Sequence, residues 1–320
     1  MLWRVLFLWP EDGFGKEKKS YLCSMKYRDY GKWLQEAVGQ KVQKLSIDAG
    51  FSCPNRDGRL GRGGCIFCNN ACFVPAYCRR GLSVGQQIEE GKRFFSRKYS
   101  QAKFLAYFQS YSNTYAELPV IECVFGEALS ADDVVGIVVG TRPDCVSPAL
   151  LDYLADLSRQ VFVCVEYGVQ SMNDETLLRI NRGHDAEASA FAIRETALRG
   201  IHVGAHVILG FPWEGHDELM SQAERLARLP LTALKLHQLQ VLKGTELARL
   251  YAEKPWPMPS AEAYIRLALE YVSHFPDGIV LDRLAGQCPP DMVLAPKWGL
   301  KSHEFAAIVR RELNAMDWKG

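Results

Sequence analysis

From residue 42 onward the chain alternates short apolar runs with helical spacings, and this alternation restricts the fold more than any single residue does. Strand-like runs cover 42–47, 103–109, 134–140, 161–169, 202–209 and 233–241. Helical periodicity covers 85–99, 118–129, 147–159, 173–181 with 186–199, and 214–228. Strands that strictly alternate with helices predict parallel pairing through helical crossovers. The expected class is α/β, a partial (β/α)6 barrel of parallel strands, closed or partly closed. KPWPMPS at 254–260 reads as a linker, and 261–274 as one more helix before a less regular tail. The expected organisation is a barrel over 25–250 and a C-terminal extension over 251–320 that covers it. Met25 opens an amphipathic helical pattern that leads into the first strand, whereas residues 1–24 show no such pattern. They are expected to lie outside the core, as an upstream extension or an over-extended start.

Composition narrows the function classes. With 320 residues, 48% of them hydrophobic, the chain can bury one large core or two modest ones. Lys and Arg total 38 against 37 Asp and Glu, so no net field advertises nucleic acid or a membrane. MLWRVLFLWP at the start is too short to span a bilayer and lacks a small-residue cleavage site. The expectation is a cytoplasmic protein with reduced thiols. Five of its ten cysteines fall between 53 and 78. Clustered thiols in a reducing compartment point to metal or redox chemistry rather than disulfides.

The unusual residues fall at strand ends. The cysteine loop follows the first strand, Gln109 ends the second, Thr141 ends the third and Glu166 to Gln170 ends the fourth. His206 to Gly210 closes the fifth, and His237 lies on the sixth. In a parallel barrel all strand C-termini open on one face, where sites are built.

The loop reads Cys53-Pro-Asn-Arg-Asp-Gly-Arg-Leu-Gly-Arg-Gly-Gly-Cys65-Ile-Phe-Cys68. Cys65 and Cys68 can grip one soft centre from a single turn, and the glycines let Cys53 fold back to it. Thiolates suit zinc or iron–sulfur. Structural zinc wants a fourth ligand, which would be Cys72 or Cys78, since the first histidine is His184. Three cysteines on a four-iron cluster instead leave one iron open to a substrate. The loop alone leaves both open.

With CPNRDG and GRGGCIFC, this loop resembles that of the YhcC/YtqA-type radical-SAM proteins. These are relatives of the radical-SAM part of the elongator catalytic subunit and of oxygen-independent coproporphyrinogen oxidase. The resemblance continues through AYFQSYSNTYA (106–116), GTRPDCV (140–146), VEYGVQSMNDETLLRINRGHD (165–185), HVILGFPWE (206–214) and KLHQLQVLKGTELA (235–248). It departs from the commoner radical-SAM loop in having eleven residues between its first two cysteines rather than three, a trait of this subfamily.

The resemblance implies a radical-SAM partial barrel in which Cys53, Cys65 and Cys68 ligate a [4Fe–4S] cluster. Its fourth iron would chelate S-adenosylmethionine, which one electron splits to give a 5′-deoxyadenosyl radical. It also implies that Phe67 packs on adenine, and that Gln109 and Asn113 stand where relatives receive the methionine amino group. Thr141, Gln170, Arg182 and His206 would contact the cofactor, and Gly210 would admit adenine. A plain salt bridge is the competing role for Arg142, and a satisfied core position for His206. His237 would face substrate. Cys123, Cys145, Cys164 and Cys288 read as small buried hydrophobes.

The same resemblance implies transfer RNA as a possible substrate, at wobble uridine, and a reducing partner such as flavodoxin or ferredoxin. Lys92, Arg93, Phe94, Phe95, Arg97, Lys98 and Tyr99 mix cations with aromatics as an RNA surface does, although a solvated basic helix face has the same composition. Two rival classes remain: a zinc-stabilised, non-catalytic RNA-binding protein and an iron–sulfur electron carrier.

Overall fold

A computed structural model describes residues 27–72, 74–75, 77–78, 81–95, 103–286 and 288–315. The segment 1–24 lies outside the described residues. The first described element is a three-residue strand, β1 (Tyr27–Asp29), running into helix α1 (Tyr30–Val38). Asp29 caps α1 by accepting from the Lys32 amide at 3.0 Å, and Gly39 ends it at φ 77°. Tyr30, Trp33 and Leu34 fall on one face at helical spacing and are buried.

The six expected strands are all present: β2 (Val42–Ile47), β3 (Lys103–Phe108), β4 (Val134–Thr141), β5 (Phe162–Gln170), β6 (His202–Leu209) and β7 (Ala233–Gln238). The intervening helices are α2 (Val84–Phe95), α3 (Leu118–Leu129), α4 (Pro148–Ser158), α5 (Asp174–Arg179), α6 (Ala186–Leu198) and α7 (His216–Ala227). Side-chain caps from Ser147, Asn173 and Asp185 fix the starts of α4, α5 and α6.

The sheet is larger than the alternation announced. After the two-residue β8 (Val241–Leu242), α8 (Glu246–Glu253) and α9 (Ala261–Ser273), the chain adds β9 (Ile279–Arg283), which pairs parallel with β7. β1 then pairs parallel with β9. The result is one eight-stranded parallel sheet in the order β1-β9-β7-β6-β5-β4-β3-β2. β10 (Val293–Ala295) pairs antiparallel with β8 at the mouth, and α10 (Ser302–Ala315) packs on α9.

The sheet curls. Lys44 on β2, at one edge, reaches Asp282 on β9, next to the other edge, at 3.0 Å. Helix α1 contacts both β9 and β2 and closes the bottom. There Trp33 packs edge-on against Phe162 and His202, with ring centroids 5.9 Å and 5.2 Å away. Outside the curl, helices bury the main core, with Leu45, Phe108, Phe125, Val139, Val165, Val203 and Leu236 on one continuous surface. Inside lies a smaller apolar layer of Tyr30, Leu105, Val138, Cys164 and Val280. The chemistry sits above that layer.

Candidate active site

The cysteine loop crosses the mouth formed by the strand C-termini, and backbone bonds hold it there. Cys53 O accepts from Arg56 N at 2.8 Å, and Asn55 O from Gly64 N at 2.9 Å. Ile66 N reaches Ile180 O at 3.0 Å, while Leu247 N reaches Ile66 O at 2.8 Å. Asn55, almost fully buried, donates its amide to Asn181 O. Asn181 returns a bond to Gly64 O at 2.9 Å. Tyr111, Gln170 and Asn181 adopt φ of 61°, 69° and 53°. Left-handed non-glycine residues cost of order 1–3 kcal/mol each and concentrate at sites whose surroundings hold them.

Cys53 and Cys65 are buried, and Cys68 is half-buried. Donors are aimed at their sulfurs. The Arg182 guanidinium stands 3.6 Å from Cys65 Sγ, as does the Asn55 amide nitrogen, and Arg142 stands 4.0 Å from Cys53 Sγ. Guanidinium and amide donors of this kind suit sulfurs that ligate a metal centre. Burial, then the neighbouring Cys65, pushes the Cys68 thiol up to about 11, a cost that a bound cation reverses. Arg142 also forks onto Asp144 at 2.8 and 2.7 Å and donates to Arg182 O at 2.7 Å. It pairs with Asp144 and neighbours a cysteine sulfur at once.

Neither later loop thiol joins this group. Cys78 Sγ donates to Ser46 O at 2.9 Å. Cys72 packs with Leu242, Val293 and Cys288. The fourth ligand required for zinc is therefore engaged elsewhere. Among the described residues no three His, Cys, Asp or Glu side chains converge tightly enough for a single metal ion. A cubane spaces its sulfurs more widely, since each thiolate holds a different iron. The donor set fits such a cluster: three thiols, two guanidiniums beside them and, among the described residues, no fourth side-chain ligand.

The residues assigned to S-adenosylmethionine fall in different surroundings. Gln109 and Arg182 offer buried atoms without partners, Gln109 Oε1 and Arg182 Nε, which a ligand can satisfy. Arg182 otherwise bridges Cys65 and the Gly168 carbonyl, at 2.5 Å, so it stands against the cysteines as well as the expected cofactor side. Gln170 ends β5 at a bulge, beside Gly168. Asn113 and Thr141 are occupied with the scaffold. Asn113 staples Phe108 O and Gly140 O at 3.0 and 2.8 Å, leaving only its Oδ1 free. Thr141 Oγ1 lies 2.9 Å from Ser112 and 2.5 Å from Thr114. Phe67 packs among Leu177, Ile180, Ile208, Phe211 and Leu239, and Gly210 turns at φ 99°. His206 sits lower, on the lumen wall, with Nε2 2.7 Å from Glu166 Oε2.

That lumen carries a polar layer of which sequence reasoning singled out Glu166 and His206 but missed Lys44, Lys235 and Asp282. Glu166 receives Tyr107 Oη at 2.8 Å, Lys235 at 3.1 Å and Lys44 at 3.4 Å. Asp282 receives Lys44 at 3.0 Å and lies 3.3 Å from Lys235. Burial works to raise Glu166, but Lys235 and Lys44 outweigh it and hold the carboxyl well below its usual range. Burial, with Lys235 adding to it, pushes His206 down to about 4. The available signal was a charged residue at an inward position of an otherwise apolar strand, as in VQKLSI, VCVEYGV and ALKLHQ.

Comparison with known proteins agrees with this fold. The Radical_SAM C-terminal domain matches residues 231–315. YtqA of Bacillus subtilis is 34% identical over 90% of this chain and 89% of its own length. YhcC of Escherichia coli K12 is 37% identical over 84% of this chain and 86% of its own. The chain belongs to the YhcC/YtqA family of radical-SAM proteins. Among solved structures, the Methanocaldococcus infernus Elp3 with an N-terminal deletion superposes with a TM-score of 0.63 at 16% identity. The match covers 86% of this chain and 63% of that one. At that identity the likeness establishes the fold alone, and the curled parallel sheet of the YhcC/YtqA member is the radical-SAM partial barrel. No helix among its described residues is long and apolar enough to cross a membrane.

Proposed function

We propose that this YhcC/YtqA protein is a radical-SAM enzyme in which Cys53, Cys65 and Cys68 hold a [4Fe–4S] cluster, and that it modifies transfer RNA at wobble uridine. The observation that carries the cluster assignment is the aim of Arg182, Asn55 and Arg142 at Cys65 and Cys53. When bound, the cluster supplies the electron that splits the sulfur–C5′ bond of S-adenosylmethionine. The chain's own residues would do the rest. Gln109 Oε1 would accept from the methionine amino group, and Arg182 Nε would donate to a carboxylate or ribose oxygen. Phe67 would wall the adenine side. The mouth strands β8 and β10 would limit water.

The transfer-RNA part rests on the sequence resemblance. The basic helix face adds little, because Lys92 and Arg93 pair with Glu89 and Glu90 on the same helix at 2.8 and 2.7 Å. Arg97, Lys98 and Tyr99 fall outside the described residues. A reducing partner such as flavodoxin or ferredoxin would supply the electron.

Two measurements test the reading. Anaerobically reconstituted protein given dithionite should release 5′-deoxyadenosine from S-adenosylmethionine. Transfer RNA from cells lacking the gene should lose a modified wobble uridine. Cleavage with unchanged nucleosides would remove the substrate and keep the enzyme class. A cluster-loaded protein that never cleaves would remove both.

A further inference from the structure

Beneath the cysteine loop the lumen stays accessible. His206 retains 16% side-chain exposure on β6, and His237 and Arg283 beside it are half-buried rather than sealed. Three cations meet two carboxylates here. Glu166 and Asp282 are both taken by Lys44 and Lys235, at 3.0 to 3.4 Å. Arg283 receives neither. One of its terminal nitrogens meets His237 Nε2 at 3.1 Å, and its Nε is buried without a partner. Among the described residues no carboxylate lies within ion-pairing distance of it.

His237 cannot act as the counter-ion. Burial, and then the charge of Arg283 itself, hold it well below its ordinary value, so it stays neutral and accepts at Nε2. A register shift between β7 and β9 sets Lys235 opposite Arg283 directly after the Leu234–Leu281 pair. Such a bulge re-aims side chains, and consecutive residues Asp282 and Arg283 both face the lumen groups. The chain thus places an extra half-buried guanidinium, its Nε cut off from solvent, where its carboxylates are already spent, an arrangement that is costly unless something brings a counter-charge.

We propose that Arg283, with His237 beside it, is an oxyanion subsite on the lumen wall that holds a phosphate or carboxylate group of the substrate. The planar guanidinium has donors to spare and suits a two-oxygen partner. The position fits a substrate anchor. The His237 ring lies 5.8 Å from that of His206, which holds Glu166. Two residues further up β5, the Gly168 carbonyl holds Arg182 beneath Cys65. A group bound at Arg283 therefore leaves the remainder of the substrate pointing toward the cysteine loop. The inference rests on reading this lumen as the radical-SAM reaction chamber.

Calorimetry on cluster-loaded, unreduced protein tests it, with S-adenosylmethionine saturating so that its own carboxylate is not counted. The probes are inorganic phosphate and acetate. At least one should bind the parent, and Arg283→Gln should weaken it tenfold or more. Arg283→Lys should fall between, since it keeps the charge and loses the fork. Arg194→Gln, a surface cation paired with Glu187, should match the parent. The better probe identifies the source, phosphate for a nucleotide group and acetate for a carboxylic acid. Binding of neither probe, equal binding in the parent and in whichever Arg283 variant folds, or loss of binding on saturation with S-adenosylmethionine would each overturn the subsite. No turnover is involved, so probe binding without S-adenosylmethionine cleavage would sink the enzyme reading and leave the subsite standing.

Discussion

Arg182 holds the Cys65 sulfur at 3.6 Å with one guanidinium nitrogen and the Gly168 carbonyl at 2.5 Å with another, joining the cysteine loop to the end of β5. If the three cysteines hold the proposed cluster, Arg182 would act on it as well as on the cofactor assigned to it from sequence. A lost charge-assisted bond costs about 1.5–3 kcal/mol, or roughly tenfold to a hundredfold in affinity. Arg182→Ala should weaken S-adenosylmethionine binding by that order and also speed iron loss in air. Binding assays and iron release measured side by side check this. Weakened binding with parental iron retention would confine the residue to the cofactor.

The thiols should separate cleanly. Cys53→Ala, Cys65→Ala and Cys68→Ala should each lose the cluster absorbance. Cys78→Ala and Cys164→Ala should keep it, because Cys78 is bonded to Ser46 O and Cys164 is sealed in the lower lumen layer. Iron and sulfide counts per chain decide the matter. A full cluster in Cys65→Ala would end the ligand assignment.

Lys235 and Glu166 should be strongly coupled. Removing one partner of a buried pair costs about 3–5 kcal/mol, because the other charge is left behind. Lys235→Met should destabilise by about that much. Adding Glu166→Gln should recover a substantial part, giving a non-additive cycle in urea unfolding. Lys44 still neutralises Asp282 in the double variant. Simple additivity would show that the pair is not a unit.

Stability should fall on acidification below about pH 6.5. His206 is pushed from 6.5 to about 4 by burial, so between those values the unfolded chain binds a proton that the folded chain refuses. The folded state thus loses ground as pH falls through that window, by about 1.4 kcal/mol for each pH unit crossed. Glu166 and Asp282, both held low, add loss of the same sign at lower pH. Melting temperatures from pH 7.5 to 4.5 should show the decline, with a shallower slope for His206→Gln. An equal slope in that variant would assign the decline to the carboxylates alone.

Much of this architecture is written in the sequence because its signals are local. Apolar runs bounded by helical periods marked out five of the six central strands to within one residue, while β7 ends at Gln238, three residues short of its run, and the cap residues Ser147, Asn173 and Asp185 stand one position before their helices. The cysteine spacing named a soft-metal site for the same reason, since Cys65 and Cys68 are neighbours along the chain. β9 was hidden, being a five-residue strand with no regular helix–strand rhythm around it. The sequence likewise could not say whether Arg142 served Asp144 or a cysteine, and it serves both.

The class of fold, the order of its central elements and the three thiols at the mouth thus follow from the order of residues alone. What fills the lumen does not. Lys44, Glu166, Lys235 and Asp282 lie on four strands that are far apart in the chain, and each reads alone as an odd charge in an apolar run. Curling the sheet until β2 faces β9 brings them within 3.0 to 3.4 Å, and it leaves Arg283 over. Pairing of buried charges depends on distances across the barrel, and no periodicity along the chain encodes those.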